Sequence, residues 1–386
     1  MSKSNVPELR LEGFEGEWLQ TTIGRISRRT YGGGTPSSTN DSFWSGDIPW
    51  IQSSDVAEIG VTSAIPKKFV TPQAITNSAA VLIPANSIAV VSRVGVGKVT
   101  LMAFPYATSQ DFVSLSHLNG DPTFLAVSIK EELLGLIHRL QGSTIKGITK
   151  PELLSRSLRV PPTHQEQEAI GAIFTKLDTT IASHKKKLGL LKQTKTSLLQ
   201  RMFPQDGATV PELRLEGFTD EWELLPIKKI APLQRGFDLP NSQLRNGNIP
   251  VVTSNGITAF HDTSMIKGPG VVTGRSGTIG KVHLVTEDYW PHNTTLWVTN
   301  FYGNSPTFVY YLFESVDLAQ FSSGSGVPTL NRNDVHDHLC QVPHSLEEQR
   351  AIGDVFAKLD TLISAKAQYI DKLTQTKTAL LQKMFV

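Results

Sequence analysis

The sequence predicts an α+β fold with two mixed α/β globular heads, separated by an antiparallel coiled coil of two long helices related by a pseudo-twofold axis. Three observations predict it: two internal repeats, an apolar stripe with a period of 3.5 residues, and short β-rich runs between the repeats. The 386-residue chain is long enough for two or three domains. The repeats divide it into a first head (1–160), a central helical segment (161–204), a second head (205–341) and a C-terminal helical segment (342–386).

A short motif and a long tail each occur twice. Val6-Pro-Glu-Leu-Arg-Leu-Glu-Gly-Phe-Glu-Gly-Glu-Trp18 returns as Val210-Pro-Glu-Leu-Arg-Leu-Glu-Gly-Phe-Thr-Asp-Glu-Trp222, identical at eleven of thirteen positions. Residues 161–203 return as 343–385, identical at 22 of 43 positions. The chain is therefore two copies of one unit, in which a variable head lies between conserved segments.

Both tails are predicted to be helices with a coiled-coil seam. Steps of four and three residues from Ile170 and from Ile352 meet apolar residues at eight of ten positions in each tail. A period of 3.5 sustained over more than four heptads indicates such a seam. Thr163-His-Gln-Glu166 and Ser345-Leu-Glu-Glu348 have the pattern of capping boxes at the two helix starts. The predicted seam residues are Phe174, Leu177, Ile181, Leu188, Leu191, Leu198, Phe356, Leu359, Ile363, Ile370, Leu373 and Leu380.

Each stripe could pack on its own head alone, but a narrow stripe favours helix pairing. The central helix leads from the first head into the second, so the C-terminal helix must run back to bury its stripe, and the pair is antiparallel. From Ile170 to Met202 the helix would rise about 48 Å at roughly 1.5 Å per residue. The heads are then expected at opposite ends of a spacer.

The two heads are expected to be rich in strands and to echo each other faintly. Gly46-Asp-Ile-Pro49 resembles Gly247-Asn-Ile-Pro250, and Arg93-Val-Gly-Val-Gly-Lys98 resembles Arg275-Ser-Gly-Thr-Ile-Gly-Lys281. Tyr106-Ala-Thr-Ser-Gln110 and Trp290-Pro-His-Asn-Thr294 form a third pair. One frame with two otherwise different heads suits two different recognition tasks.

No catalytic or metal-binding pattern is found in the sequence. In the two Gly-rich runs, Ser92 and Arg275 stand where a phosphate-binding P-loop needs its first Gly. Each run could still contact a nucleic-acid phosphate, or be a plain hairpin turn. The single Cys340 excludes an internal disulfide and a Cys-based zinc site. His336 and His338 are expected at the surface.

Charge gives no global sign of nucleic-acid binding, because 37 basic residues face 35 acidic ones. By region the net charges are +2, +4, −5 and +1. Arg25, Arg28 and Arg29 form the best local basic cluster of the first head, with a solvated helix face as the alternative. The sequence shows neither a leader nor an apolar run long enough to span a bilayer, so we expect a soluble, cytoplasmic protein.

The duplicated plan resembles the specificity (S) subunit of type I restriction-modification systems. The resemblance rests on Glu166-Gln-Glu-Ala-Ile-Gly171 with Leu198-Leu-Gln-Arg-Met-Phe203, and on their copies Glu348-Gln-Arg-Ala-Ile-Gly353 and Leu380-Leu-Gln-Lys-Met-Phe385. Gly33-Gly-Thr-Pro-Ser37 followed by Gly46-Asp-Ile-Pro-Trp50 is typical of a first target-recognition domain of that family. The second head departs from this pattern, with Gln234-Arg-Gly-Phe-Asp-Leu-Pro240 in place of the first run.

The resemblance implies a non-catalytic DNA-binding subunit. Each head would be a target-recognition domain that reads one half of a bipartite double-stranded DNA target, and the helices would set the spacer and dock two methylation (M) subunits. Those subunits would carry S-adenosylmethionine, restriction (R) subunits would use ATP and Mg, and this chain would hold no cofactor and contact no membrane. A coiled-coil scaffold with protein-binding heads and a self-sufficient DNA-modifying enzyme are the alternatives.

Base edges are read by polar and basic side chains at loop tips, which selects ten candidates for DNA contact. We expect Arg93 and Arg275 to contact phosphates rather than bases, because similar loops occur in both heads. The candidates are Arg29, Gln52, Ser53, Arg93 and Lys98 in the first head, and Thr253, Ser254, Asn255, Arg275 and Lys281 in the second.

Overall fold

Two units make up the chain, and each contains one head and a segment of each long helix. The computed structural model describes residues 5–58, 60–62, 64–139, 147–204, 207–323 and 328–385. The first unit comprises Met1–Lys185 and Gln368–Val386, and the second comprises Lys186–Ala367. In the described part of the chain, no helix combines the length and apolar character needed to cross a membrane.

The first head is built on a four-stranded antiparallel sheet of order β2-β8-β5-β6, beside a three-stranded sheet β4-β3-β7 and a strand pair β1-β9. Short 3-10 helices lie at Asp41–Phe43 and Ser53–Asp55. The elements are β1 (Leu19–Thr22), β2 (Ser27–Gly32), β3 (Ile48–Ile51), β4 (Lys68–Val70), α1 (Pro72–Asn77), β5 (Ser87–Val91), β6 (Val99–Met102), β7 (Ala107–Thr108), β8 (Phe112–Leu118), α2 (Pro122–Arg139), α3 (Lys150–Ser155), β9 (Ser157–Val160) and the long helix α4 (His164–Met202).

The second head has a four-stranded sheet β11-β17-β14-β15, a three-stranded sheet β13-β12-β16 and the strand pairs β10-β20 and β18-β19. Short 3-10 helices lie at Asn241–Gln243 and Leu318–Phe321. The elements are β10 (Glu223–Pro226), α5 (Ile227–Ile230), β11 (Leu233–Arg235), β12 (Ile249–Thr253), β13 (Gly256–His261), β14 (Gly270–Gly274), β15 (Val282–Val285), β16 (Trp290–Pro291), β17 (Thr295–Val298), α6 (Pro306–Val316), β18 (Ser322–Ser323), β19 (Thr329–Leu330), α7 (Arg332–Asp337), β20 (Leu339–Val342) and the long helix α8 (Leu346–Met384).

The two heads share one topology, which their sequences show only faintly. The four-stranded sheets have the same strand order, and in both three-stranded sheets the middle strand pairs antiparallel with one neighbour and parallel with the other. Helix α2 corresponds to α6, and α3 to α7. The expected α+β class with two mixed heads is therefore confirmed, and the heads are more alike than the sequence indicates.

Each long helix begins at its predicted cap, although the capping box is only half formed. The Thr163 and Ser345 hydroxyls accept hydrogen bonds from the backbone N–H groups of Glu166 and Glu348, at 3.3 and 3.2 Å. The carboxylates do not complete the box because other donors bind them. Arg10 binds Glu166 through two hydrogen bonds of 2.8 Å each, and Arg214 binds Glu348 in the same way.

The short repeated motif joins the start of one long helix to the end of the other. In the first unit, the motif that binds Glu166 also donates from the Leu9 N–H to the Lys383 carbonyl, at 2.9 Å. In the second unit, the Leu213 N–H donates to the Arg201 carbonyl, at 2.8 Å. The two copies of the motif therefore make the same contacts, which explains why their sequences are nearly identical.

Four aromatic rings close the core of each unit where these segments meet. In the first unit Trp18 and Phe385 pack on Phe124 with ring centroids 5.6 and 5.5 Å apart, and Phe385 also packs on Phe174. The equivalent rings of the second unit are Trp222, Phe203, Phe308 and Phe356. In both clusters the motif, the head helix, one long helix and the end of the other long helix each contribute one ring.

Within each unit the two long-helix segments are antiparallel. In the first unit, three contacts join the helices as residue numbers rise along α4 and fall along α8. They are Phe174 with Phe385, Asp178 with Lys377, and His184 with Tyr369. In the second unit Lys195 binds Asp360 and Phe203 contacts Phe356, in the same sense.

The predicted seam positions are all buried or partly buried, and most positions between them are exposed. At its start, each stripe also packs into its own head, because Ile170 and Phe174 belong to the first core and Ile352 and Phe356 to the second. Packing on the head and packing on the other helix thus both contribute, each at a different part of the stripe.

Candidate nucleic-acid interface

Two groups of loops hold most of the residues selected from the sequence. We call residues 52–58 and 92–98 loop cluster 1, and residues 253–256 and 275–281 loop cluster 2. Each cluster combines two segments. One is the loop of a β-hairpin, between β5 and β6 or between β14 and β15, and the other follows the middle strand of the three-stranded sheet, β3 or β12. The Gly-rich runs are therefore hairpin loops, and Gly95 and Gly97 take φ values of +101° and +99° that favour glycine.

Loop cluster 1 brings together Gln52, Ser53, Arg93 and Lys98. The Lys98 ammonium donates to the Ser53 carbonyl at 3.4 Å and lies 3.9 Å from the Glu58 carboxylate. Arg93 is exposed in the same hairpin, and no ion pair of its guanidinium is found in the described residues. Lys98 is therefore held within the cluster, whereas the exposed Arg93 can contact a phosphate or a base.

Loop cluster 2 brings together Thr253, Ser254, Asn255, Arg275 and Lys281. The Thr278 hydroxyl donates to the Asn255 side-chain oxygen, and the Thr253 hydroxyl accepts from the Asn255 N–H at 3.3 Å. Lys281 is exposed and Arg275 is half-buried. Ser254 is buried, with 4% of its surface exposed, so its side chain is poorly placed to reach a base.

His283 lies beneath loop cluster 2 and stays neutral near pH 7. Its Nε2 atom lies 3.3 Å from the Ser254 carbonyl. Burial is the main cause that lowers the pKa of His283, and the charge of Lys281 adds to it. The ring therefore supports the turn without adding positive charge.

Backbone hydrogen bonds place the two hairpin loops in register, and this register corrects the sequence comparison. The Val91 N–H donates to the Lys98 carbonyl, and the Gly274 N–H donates to the Lys281 carbonyl. The Ser92 N–H donates to the Asp111 carbonyl, and the Arg275 N–H donates to the Thr294 carbonyl, which is the equivalent acceptor in the second head. Lys98 therefore corresponds to Lys281, whereas Arg275 corresponds to Ser92.

The third sequence echo is also shifted by one residue. Tyr106 and Tyr289 form the equivalent β-bridges, with Ile83 and Ile266 respectively. Tyr106 therefore corresponds to Tyr289 and not to Trp290. The first echo is in register, because Gly46 and Gly247 both approach the last residue of the neighbouring strand, Val70 of β4 and His261 of β13.

Arg29 is the one DNA-contact candidate that the structure does not bring into either cluster. It lies on β2 opposite Ser116 of β8, about 13 Å along the strand from Phe112 at roughly 3.3 Å per residue. Its guanidinium lies 5.1 Å from the centre of the Tyr31 ring. Arg28 and Arg29 are neighbours in strand β2, where successive side chains alternate between the two faces, so the alternative of a solvated helix face is wrong.

Sequence reasoning missed a third segment that supports both clusters. The Asp111 carbonyl accepts the N–H groups of Ser92 and Arg93, and the Thr294 carbonyl accepts those of Arg275 and Ser276. The Thr294 hydroxyl also accepts from the Ser254 N–H, at 3.3 Å. The third echo pointed to this segment, but the one-residue shift concealed the equivalence.

His336 is half-buried, contrary to the expected surface position, because its Nε2 accepts the Leu233 N–H at 2.8 Å. His338 is likewise half-buried. Among the described residues, no group of three or more His, Cys, Asp or Glu could hold a metal ion. Cys340 is buried, and burial raises the pKa of its thiol to about 12.

Curated relatives of this chain include specificity subunits of type I restriction enzymes. A specificity subunit of the type I restriction enzyme MjaIX from Methanocaldococcus jannaschii is 25% identical over 266 residues, which cover 62% of this chain and 60% of that protein. The EcoR124I/EcoR124II specificity subunit of Escherichia coli is 34% identical over 173 residues, or 43% of this chain and 42% of that protein. The matched segments thus span less than two thirds of these relatives.

A solved structure shares the fold over nearly the whole chain. The crystal structure of the type I restriction-modification S subunit from M. genitalium covers 99% of both chains, with a TM-score of 0.71 at 17% identity. The family model for the type I restriction modification DNA specificity domain matches residues 17–193 and again residues 219–375. With both halves matched, the chain belongs to the type I restriction-modification DNA specificity family.

Proposed function

We propose that this chain is the sequence-specific DNA-recognition subunit of a type I restriction-modification complex. Each head reads one half of a bipartite target, and the paired helices set the spacing between the halves and dock the methylation subunits. The observation that carries the proposal is the pair of equivalent loop clusters, which share one backbone frame but differ in side chains. Equivalent loops with different side chains suit two half-sites of different sequence.

The contact residues are proposed from exposure and charge. Lys281, Arg93 and Asn255 are the exposed candidates within the two loop clusters, and the half-buried Arg275 is proposed as a further contact of loop cluster 2. Lys98 is held by Ser53 and Glu58, so its role is to shape loop cluster 1. Arg29 lies outside the clusters and would contact DNA only at the margin of the first head.

Partner subunits supply the chemistry in this proposal. Two methylation subunits bind S-adenosylmethionine and methylate adenine, and restriction subunits use ATP and Mg to translocate and cleave DNA. This chain would hold no cofactor of its own and would act as a non-catalytic subunit in the cytoplasm. Its acidic second head, with a net charge of −5, is consistent with partners that provide much of the phosphate attraction.

Methylation mapping in a host that expresses the chain with its methylation subunits tests the proposal. We expect a bipartite motif, with one modified adenine on each strand and an unread spacer between the halves. A host with the methylation subunits alone is the control and should show no such motif.

Two outcomes would count against the proposal. Methyl transfer by the purified chain alone would favour a self-sufficient modifying enzyme. Absence of any sequence-specific binding, with the methylation subunits present, would favour a scaffold with protein-binding heads.

A further inference from the structure

The first head contains a segment that has no counterpart in the second head. Strands β3 and β4 are joined by residues 52–67, whereas β12 and β13 are joined by residues 254–255 alone. Within the longer connection, the Val61 carbonyl accepts the Leu101 N–H at 2.6 Å. The added segment thereby covers the edge of β6, the last strand of the four-stranded sheet.

The same place is open in the second head. Leu284 corresponds to Leu101 in strand register, because they lie opposite Val271 and Ile88. Leu284, Tyr311 and Asp360 line a cavity of about 470 Å³. In the first head, Gly60 approaches Asp178, the equivalent of Asp360 in the repeat. The added segment therefore occupies part of this space and leaves a smaller cavity of about 160 Å³.

Lys130 of α2 holds the added segment. Its ammonium donates to the carbonyls of Glu58 and Gly60, at 2.5 and 2.8 Å, and only 7% of the residue is exposed. Burial lowers the pKa of Lys130 to about 8, with Lys377 adding to the shift and Asp178, Glu131 and Glu58 opposing it. Two carbonyl acceptors compensate in part for the cost of burying this charge.

The second head carries the opposite charge at the equivalent position. Helices α2 and α6 align through their caps, because Asp121 accepts the Phe124 N–H and Ser305 accepts the Phe308 N–H. This alignment pairs Lys130 with Glu314. Glu314 binds Lys195 at 2.8 Å. The basic residue is thus present only in the head that has the added segment.

The held segment forms part of loop cluster 1 and contacts its hairpin loop directly. Glu58, whose carbonyl Lys130 binds, has its carboxylate 3.9 Å from the Lys98 ammonium. The hairpin rests on the same helix α2, since a Cβ added at Gly97 would lie 2.8 Å from Cδ1 of Ile137. Helix α2 therefore supports both parts of the cluster, the hairpin through Ile137 and the segment through Lys130.

We infer that Lys130 is a positioning residue that holds residues 52–58 and Gly60 against the hairpin loop 92–98, and thereby controls how sharply the first head, and only the first head, reads its half-site. The inference rests on the proposed function. Loss of two hydrogen bonds from a buried ammonium would release the segment and let Gln52 and Ser53 move relative to Lys98.

The variant Lys130→Glu distinguishes a positioning role of Lys130 from a general contribution to folding stability. The substitution gives the first unit the charge arrangement of the second, in which a glutamate on the head helix binds the long-helix lysine, here Lys377. We expect the full chain with its methylation subunits to bind the mapped target, but to discriminate against first-half mismatches about tenfold less well. Discrimination against second-half mismatches stays within about twofold. Glu131→Gln, on the next residue of α2, is the matched control and retains both.

The outcomes distinguish this inference from the proposed function. If the wild-type complex shows no sequence preference, the proposed function fails. If wild type discriminates and Lys130→Glu discriminates equally well, or loses both halves alike, the inference alone is overturned. Should Lys130→Glu fail to fold, hydrogen exchange of the Lys130→Met chain provides the test. Faster exchange at residues 53–58 and at the Leu101 amide, relative to wild type, supports the inference, and unchanged exchange overturns it.

Discussion

At the residue scale, the hydrogen-bond register of the two hairpins changes which side chains can share a role. The two arginines chosen from the sequence, Arg93 and Arg275, occupy different positions in the loop, while Lys98 and Lys281 occupy the same one. The reason for expecting both arginines to contact phosphate in the same way is therefore removed. The sequence comparison aligned Arg93 with Arg275 because glycines in both runs also match when one run is shifted by one residue.

We predict different effects for the two cations of loop cluster 2. Lys281→Ala should lower affinity for all DNA sequences alike and reduce the salt dependence by about one counterion, because an exposed lysine acts as a point charge on phosphate. Arg275→Ala should reduce preference at one or two base pairs of one half-site, by about 1–3 kcal/mol.

Fluorescence anisotropy of the complex on target and mismatched duplexes, at several salt concentrations, measures both effects. A uniform loss with Arg275→Ala, equal to that of Lys281→Ala, would return Arg275 to the phosphate-contact role. Lys267→Ala, another cation of the second head outside loop cluster 2, serves as the control and should leave binding nearly unchanged.

At the element scale, the polar breaks in the seam have a structural purpose. The stripe places Lys195 and Lys377 among apolar residues, and each binds an aspartate of the other helix, Asp360 and Asp178. These pairs occupy repeat-equivalent positions in the two units. A polar residue within a seam fixes register at a cost in stability, and paired lysine and aspartate do so for an antiparallel pair.

Lys377→Met should destabilise the first unit by about 3 kcal/mol, because it leaves the buried Asp178 carboxylate without its partner. The double variant Lys377→Met with Asp178→Leu should recover most of the loss, since both charges are then absent. Thermal unfolding of the full chain measures the change. Equal stability of wild type and the single variant would show that the pair does not fix the seam.

The helices and their pairing could be predicted from the sequence because heptads and repeats are local signals. The half-formed capping boxes could not, because Arg10 and Arg214 reach the two glutamates from segments distant in sequence. The shared topology of the heads was also largely hidden. Its strands are short, and strand pairing depends on contacts between residues far apart in the chain.

The candidate site could be predicted only in part for the same reason. Loop tips with basic and polar residues are visible in a sequence, and nine of the ten candidates do lie in the two loop clusters. The supporting segments that end at Asp111 and at Thr294 could not be found in this way, because they act through backbone carbonyls whose positions depend on the fold. The same holds for Lys130, which binds backbone carbonyls of the added segment. Arg29 was expected at a loop tip but lies within strand β2. So short a basic run does not show whether it belongs to a strand, a helix or a loop.

At the scale of the whole molecule, near neutrality hides an uneven distribution of charge. The second head has a net charge of −5 and the central helical segment +4. Affinity for DNA depends strongly on the number of phosphates that cations neutralise. Under the proposed function, a reader with an acidic head would need partners to hold the duplex, while its own loops would select the sequence.

The purified chain alone should bind its target much more weakly than the complex with methylation subunits does. We expect a difference of at least about a hundredfold at physiological salt, because few exposed cations of the loop clusters are free to meet phosphates. Titration of labelled duplex with the chain and with the complex measures it. Equal affinities would show that the chain holds the duplex without help.

The core of each unit contains one aromatic ring from the tail of the other repeat. Phe385 completes the core of the first head although it lies at the far end of the sequence, and Phe203, from the first repeat, completes the core of the second. Neither half of the gene product therefore encodes a finished core. If the proposed function holds, a lesion in the last turn of one tail would therefore reduce recognition by the head of the other repeat.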